Sequence, residues 1–280
     1  MPEQLSYAEQ MLSDLGARNG FEVVCSKDGS VFSAENVRQF DVFCFYTTGN
    51  LSEDSDKYWT EKSSDGENVV DPTRLVHKEP AMPPGSKEAL LDAIRDGKGF
   101  IGIHSATDTF HSPDHVKRQV HARRDVDERR RDKFDPYIAM LGGEFVFHGA
   151  QQKAALNAFD KAFPGAKAFH EASFVEEWYA LKNFAPDLHV ILAQDCAGMD
   201  GEMYQRPPFP QTWTRMHGKG RVFYTSMGHR EDVWQKPEFL ALIAGGLGWT
   251  SGRIDADVTP NVQQVTPEAS PQPIKLDPKQ

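Results

Sequence analysis

Three histidines in this chain stand just past apolar runs. "GFIGIH" ends at His104, "EFVFH" at His148 and "RVFYTSMGH" at His229. Asp108 follows His104 after one short loop, and the tandem pair Glu176-Glu177 lies inside "FVEEWYAL". Imidazole titrates near neutrality and binds divalent ions through a neutral nitrogen, while carboxylates supply matching oxygens. The set therefore serves two chemistries. One is an N/O ligand shell of the zinc type, with His104, His148 and His229 as ligands. The other is a general acid/base cluster tuned near neutrality. A lone histidine at a strand end is more often structural, so the repetition carries the reading. No H-x-x-x-H pair marks a helix, and spacing alone leaves both chemistries open.

Alternation along "FVEEWYAL" puts Glu177 and Tyr179 on one face, with Glu176 and Trp178 on the other. One glutamate must then point inward, and a buried carboxylate needs a partner. His111 is a further candidate for the rim of the site. His77, His115, His121 and His217 occupy polar or turn contexts and read as surface. Phe110, Trp178, Tyr179, Trp213 and Trp234 read as core; any that reached the rim would offer a sugar ring an apolar face.

The elements that must position these groups follow from pattern. Ser6 and Glu9 have capping-box spacing ahead of an amphipathic run ending at Gly16. "FEVVCS" (21–26) and "DVFCFYT" (41–47) read as short strands, and residues 49–85 as a long polar excursion. Ser86, the stripe Ala89, Leu90, Ala93 and Ile94, and Gly97 frame a second helix that feeds directly into "GFIGIH". A helix followed at once by an apolar strand is the signature of a parallel α/β sheet, which binds ligands beyond the carboxyl ends of its strands. The charged run 114–133 reads as a solvated helix. "DPYIAM" reads as a helical turn before Gly142-Gly143 and a strand ending at His148. Residues 151–165 read two ways: composition favours helix and position favours strand. "HVILAQ" (189–194) is a strand, "HGKG" (217–220) a hairpin turn, and "PEFLALIAGGLGW" a closing helix. From about Asp257 the chain turns Pro- and Gln-rich and reads as a tail or a loosely tied strap.

Composition sets limits. The 280 residues carry a formal net charge of −10, which argues against a nucleic-acid partner. No run approaches the ~20 apolar residues of a membrane span. The three cysteines, Cys25, Cys44 and Cys196, are too scattered for a disulfide framework, and Cys25 and Cys44 read as buried thiols. The first residues lack the parts of a signal peptide. The chain as given therefore reads as cytoplasmic, or as periplasmic or secreted if a segment has been removed. No G-x-G-x-x-G follows a strand, and neither a P-loop nor a G-x-S-x-G elbow is present.

"GKGFIGIHSATDTF", "LGGEFVFH", "EEWY", "GKGRVFYTSMGH" and "GGLGW" resemble, in that order, motifs of the trehalose-utilisation (ThuA-like) family. The resemblance covers roughly residues 5–252. It implies a flavodoxin-like, three-layer sandwich with a mainly parallel sheet, related to class I glutamine amidotransferases, with the hairpin near the C-terminus. It also implies one domain over 1–256 and a tail over 257–280. In the amidotransferases the strand matching "GFIGIH" ends in a nucleophilic cysteine on a strained elbow. His104 stands in that place, so amidotransferase activity is not expected. The later H-P-E resembles His229-Arg230-Glu231. Members of the family usually open with a strand and a His-bearing loop, whereas this chain opens at the following helix. They also often carry D-x-x-H-P, where this chain has Phe163 in "DKAFP".

The resemblance implies carbohydrate catabolism: hydrolysis, elimination or isomerisation of trehalose-like disaccharides or their keto derivatives. A divalent metal, zinc by donor type, or a histidine acid/base pair would assist. His104, His229, Glu177 and Asp108 are the expected catalytic groups, and a small carbohydrate the expected partner; a homo-oligomer is compatible with the sequence. The alternative is a sugar-binding or regulatory module without catalysis, which Phe163 and the absent first strand favour.

Overall fold

The structure, a computed structural model, describes residues 6–55, 57–62, 68–77, 79–112, 134–169 and 172–269. The charged run 114–133 and the last residues of the tail lie outside the described residues. In chain order the elements are α1 (Tyr7–Asn19), α2 (Ala34–Val37), β1 (Val42–Phe45), β2 (Lys57–Lys62), β3 (Asn68–His77), α3 (Ser86–Asp96) and β4 (Gly99–Ile103). Then follow α4 (Pro136–Leu141), β5 (Glu144–His148), β6 (Gln152–Ala158), β7 (Ser173–Glu176), β8 (Tyr179–Lys182) and β9 (His189–Asp195). The last are β10 (Phe209–His217), β11 (Gly220–Thr225), α5 (Glu231–Trp234), α6 (Pro237–Thr250) and α7 (Val262–Val265).

The main sheet has seven strands in the order β1-β4-β11-β10-β9-β6-β7. β1, β4 and β11 run parallel, and every other pairing is antiparallel. The expectation of a mainly parallel sheet is therefore corrected: the sheet is mixed, with more antiparallel than parallel pairings. The physical reason lies in connection length. A helical crossover is needed to return a strand parallel to its neighbour, and β10 reaches β11 through the tight turn at Gly218-Lys219. The hairpin near the C-terminus is present as read. α6 packs on β4 and β11 alongside α1 and α5, while α3 and α4 pack on β11 with α2. An alanine Cβ at Gly246 of α6 would meet Phe223, whereas Gly102 approaches Leu141 and Tyr224. Neighbouring residues of one strand point to opposite faces, so the two helix groups cover opposite faces of the sheet.

Local signals account for several elements. The capping box forms: the Ser6 amide donates to Glu9 Oε2 at 2.6 Å, and Ser6 Oγ accepts from the Glu9 amide. α3 starts one residue earlier than read, with Gly85 as N-cap and Ser86 as its first residue. Residues 152–158 form a strand, so position prevails over Ala-rich composition. The excursion 49–85 holds the paired strands β2 and β3.

Two readings fail. Residues 21–26 form no strand, and Val24 is 64% exposed. Cys44 is exposed and Cys25 partly so: along β1 Phe43 and Phe45 turn to the core and Cys44 alternates to the open face, while Cys25 lies outside any strand. "FVEEWYAL" is not one strand either. β7 pairs with β6 in the main sheet, while β8 pairs with β5 in a separate two-stranded sheet, and the chain breaks at Glu177-Trp178 between them.

Beyond α6, residues 257–269 form a strap. The Asn261 side chain pairs with the Val190 backbone in both directions, Nδ2 donating at 3.1 Å and Oδ1 accepting at 2.6 Å. Buried Arg206 donates to the carbonyls of Leu181 (2.7 Å) and Ala269 (2.9 Å).

Candidate functional site

β4 and β11 are parallel neighbours, so their carboxyl ends open onto the same rim. His104 leaves β4 there, and His229 follows β11 after Ser226-Met227-Gly228. His104 is 2% exposed and has φ +45°, a left-handed backbone that non-glycine residues seldom adopt. The surroundings impose it. Tyr224 Oη donates to the His104 carbonyl at 2.8 Å and bonds the Thr107 hydroxyl at 2.9 Å. Tyr137 Oη donates to the Ala106 carbonyl at 2.9 Å. The sharp turn aims the ring back across the end of the sheet.

Its orientation follows from one bond. His104 Nδ1 lies 2.8 Å from the Ser226 carbonyl oxygen, which only accepts, so Nδ1 carries the proton. Nε2 then faces Glu177 Oε2 at 3.4 Å, buried and without a well-formed hydrogen bond. His229 Nδ1 lies 3.2 Å from the same oxygen, and His148 Nδ1 3.5 Å from the other, Oε1. One donor atom each from His104, Glu177 and His229 lie within 4.8 Å of one another. His148 meets the carboxylate from the far side and is more open, its side chain 41% exposed. Burial opposes ionisation of Glu177, but the imidazoles of His104, His229 and His148 gathered around its carboxylate outweigh it, and its pKa is lowered. Burial lowers the pKa of His229 against the pull of Glu177.

Aromatic rings wall the site. The Tyr179 ring centroid is 4.1 Å from that of His104 and 5.9 Å from that of His148, its cross-strand partner. Burial, with Glu176 and Glu177 nearby, pushes the Tyr46 hydroxyl up to about 12, and it donates to the Gly228 carbonyl at 3.0 Å.

Asp108 is turned elsewhere. Its Oδ1 lies 2.5 Å from His111 Nε2, and its Oδ2 accepts from the Thr48 hydroxyl. His111 Nδ1 faces fully buried Glu144 at 3.6 Å. Burial disfavours the imidazolium, but the two carboxylates prevail and the His111 pKa is raised. This Asp-His-Glu chain is separate from the three converging donors.

Sequence reasoning missed two groups that hold the site together. Glu176 is fully buried and accepts from the amides of Glu177 and Gly228. Tyr204 Oη donates to the Trp178 carbonyl at 2.5 Å and accepts from the Gly149 amide at 3.0 Å, tying the Glu177 and His148 segments together. Alternation had flagged an inward glutamate; nothing in the pattern around Tyr204 pointed to this bond.

In open α/β sheets ligands bind beyond the carboxyl ends of the strands, and the histidines that meet Glu177 lie at that rim. The sequence profile of the family described as trehalose utilisation (ThuA) matches residues 2–250, and the chain belongs to that family. Among solved structures it resembles a protein described as ThuA-like from Bacteroides uniformis, with a TM-score of 0.55 and 15% identity over 93% of this chain and 91% of that one. It also resembles one from Parabacteroides merdae, with a TM-score of 0.53 and 15% identity over 90% and 87%. At that identity the likeness concerns the fold alone. No curated protein sequence matches the chain. No helix among the described residues is long and apolar enough to cross a membrane.

Proposed function

We propose that this chain is an enzyme acting on trehalose-like disaccharides or their keto derivatives, and that His104, Glu177 and His229 bind a divalent cation, zinc by donor type. The observation that supports this best is the buried, hydrogen-bond-free Nε2 of His104, whose other nitrogen is fixed on the Ser226 carbonyl. A ligating histidine is held in this way, its second nitrogen bonded to a carbonyl that sets tautomer and ring angle. A cation there would supply Lewis-acid polarisation of a sugar oxygen or carbonyl.

The chain's own residues divide the remaining work. A ketone two carbons from the glycosidic carbon acidifies the C–H between them, and elimination then needs a base for that proton and an acid for the departing oxygen. His148 stands at the open side of Glu177 outside the three converging donors, so it is the group left to carry a proton. Asp108, held by His111 and Thr48, is suited to orienting a hydroxyl rather than to proton transfer.

The test is metal content after zinc supply, with turnover on trehalose and its keto derivatives, for wild type, His104→Ala and His148→Ala. Near-stoichiometric zinc is expected in wild type, lost in His104→Ala and retained in His148→Ala, with turnover lost in both. A folded wild type that takes up no zinc refutes the metal reading and leaves the acid/base cluster. Zinc without turnover on any of these sugars favours the binding module.

A further inference from the structure

We propose that Glu176 is the positioning residue of this site: its carboxylate sets the geometry of both Glu177 and His229 through their backbone. The inference rests on reading His104, Glu177 and His229 as the working groups. Glu176 Oε1 accepts from the Glu177 amide at 2.9 Å, and Oε2 accepts from the Gly228 amide at 2.9 Å. One oxygen thus fixes the peptide that begins Glu177. The other fixes the peptide one residue ahead of His229. The Gly228 carbonyl, in the peptide that enters His229, accepts from Tyr46 Oη (3.0 Å) and Trp234 Nε1 (2.7 Å). Both peptides flanking Gly228 are therefore held.

The link spans an unusual distance in the fold. β10, β9 and β6 lie between β11 and β7 in the sheet. At about 4.8 Å per strand, the ends of β7 and β11 would lie roughly 19 Å apart in a flat sheet. The sheet must curl strongly for one side chain at the end of β7 to reach the loop after β11. Glu176 closes that curl at the point where the catalytic candidates meet. A carboxylate suits the task because both its oxygens accept. A glutamine offers one acceptor, and its NH2 would face the second buried N–H donor to donor. A serine or threonine hydroxyl could not span both amides.

The experiment compares wild type with Glu176→Gln, first metal-free and then titrated with Co2+. The readouts are the 15N imidazole signals of His104 and His229, the Co2+ absorption spectrum and the Co2+ affinity. Support is a Glu176→Gln protein that unfolds cooperatively, with shifted His229 imidazole signals, an altered Co2+ spectrum and an affinity lowered about 10–100-fold, the range for outer-sphere partners of a ligand. A folded variant with unchanged imidazole signals and Co2+ affinity overturns the proposal. If Glu176→Gln does not fold, Glu176→Asp is read by the same criteria; failure of both to fold assigns Glu176 to stability and overturns it too. If wild type binds no Co2+, the metal reading fails, and the metal-free imidazole signals alone decide the role of Glu176.

Discussion

Gly228 gives the sharpest stability test of how His229 is placed. Its φ is +113°, and an added Cβ would lie 2.9 Å from Ile103 Cγ2 and 3.3 Å from Phe239 Cζ, both buried side chains. Gly228→Ala thus incurs two separate costs. Left-handed backbone costs an alanine about 1–2 kcal/mol. Forcing a methyl against the packed interior adds about 1–3 kcal/mol, because neighbours yield only by leaving their rotamers. Gly252 separates the two: its φ is +74°, and no atom lies within 4 Å of its added Cβ. Alanine also restricts the unfolded chain, but equally at both positions. Gly252→Ala should therefore lose about 1 kcal/mol and Gly228→Ala about 3 kcal/mol, the difference being the contact with Ile103. At about 2–4 °C per kcal/mol, Tm should fall by roughly 2–4 °C and 6–12 °C respectively. Thermal and urea unfolding followed by circular dichroism measure both. Metal affinity should drop in Gly228→Ala and stay unchanged in Gly252→Ala. If Gly228→Ala proves no less stable than Gly252→Ala, the loop before His229 has room to relax, and the rigid placement argued for the site is wrong.

Three further outcomes follow from the same contacts. Tyr204→Phe removes the hydroxyl joining the Trp178 carbonyl and the Gly149 amide; it should cost about 1–3 kcal/mol in urea unfolding and weaken metal binding, because buried polar groups are left unpaired. Unaltered stability would show that the two segments are held by other means. His111→Gln should destabilise most at low pH. The folded pKa of His111 is raised above its ordinary 6.5, so its contribution is fully present below that value and fades as pH climbs through the folded pKa. A difference from wild type that grows above pH 7 would contradict this. Arg206→Met removes the donors to Leu181 and Ala269, so limited proteolysis should cut within 257–269 well before it does in wild type, and an unchanged digestion pattern would mean the bonds at Thr259, Asn261 and Val262 suffice to anchor the strap.

What the sequence disclosed depended on whether a signal was local. The capping box at Ser6, the helix 86–96, the hairpin turn at 217–220 and the closing helix each rest on a few adjacent residues, and each formed. The convergence of His104 and His229 was legible because both follow apolar strands, and those strands are parallel neighbours. Sheet direction was not legible. "HVILAQ" reads the same whether its neighbours run with it or against it, and the parallel pattern around "GFIGIH" was extended to strands that pair antiparallel. "FEVVCS" has strand composition, but a strand exists only with a partner. The break at Glu177-Trp178 was hidden for a related reason. Alternation describes one strand in one sheet, whereas these residues leave one sheet and enter another. That break turns Glu177 toward the histidines and leaves Glu176 on backbone amides, a division of labour that alternation alone could not assign.

The protonation of His229 and Glu177 bears on the two chemistries proposed for the site. The bond to Ser226 leaves the lone pair of His104 at Nε2, facing Glu177. Burial depresses the pKa of His229, so its imidazole is neutral at pH 7, while Glu177 is ionised. At neutral pH His229 and Glu177 therefore present a lone pair and a negative charge, and a cation can reach them without displacing a proton. A general acid at His229 or Glu177 would have to hold a proton that its surroundings disfavour. The backbone of His104 points the same way. A non-glycine residue held at φ +45° costs on the order of 1–3 kcal/mol, and such strain persists only where surrounding structure over-determines it. Here that structure is the Tyr224 hydroxyl on the His104 carbonyl and the Ser226 carbonyl on its ring. Replacing Tyr224 by Phe removes the first constraint without touching a proposed ligand. If the strained turn exists to aim Nε2, Tyr224→Phe should lower zinc affinity and shift the His104 imidazole signals; unchanged affinity in a folded variant would show that the Ser226 bond alone orients the ring.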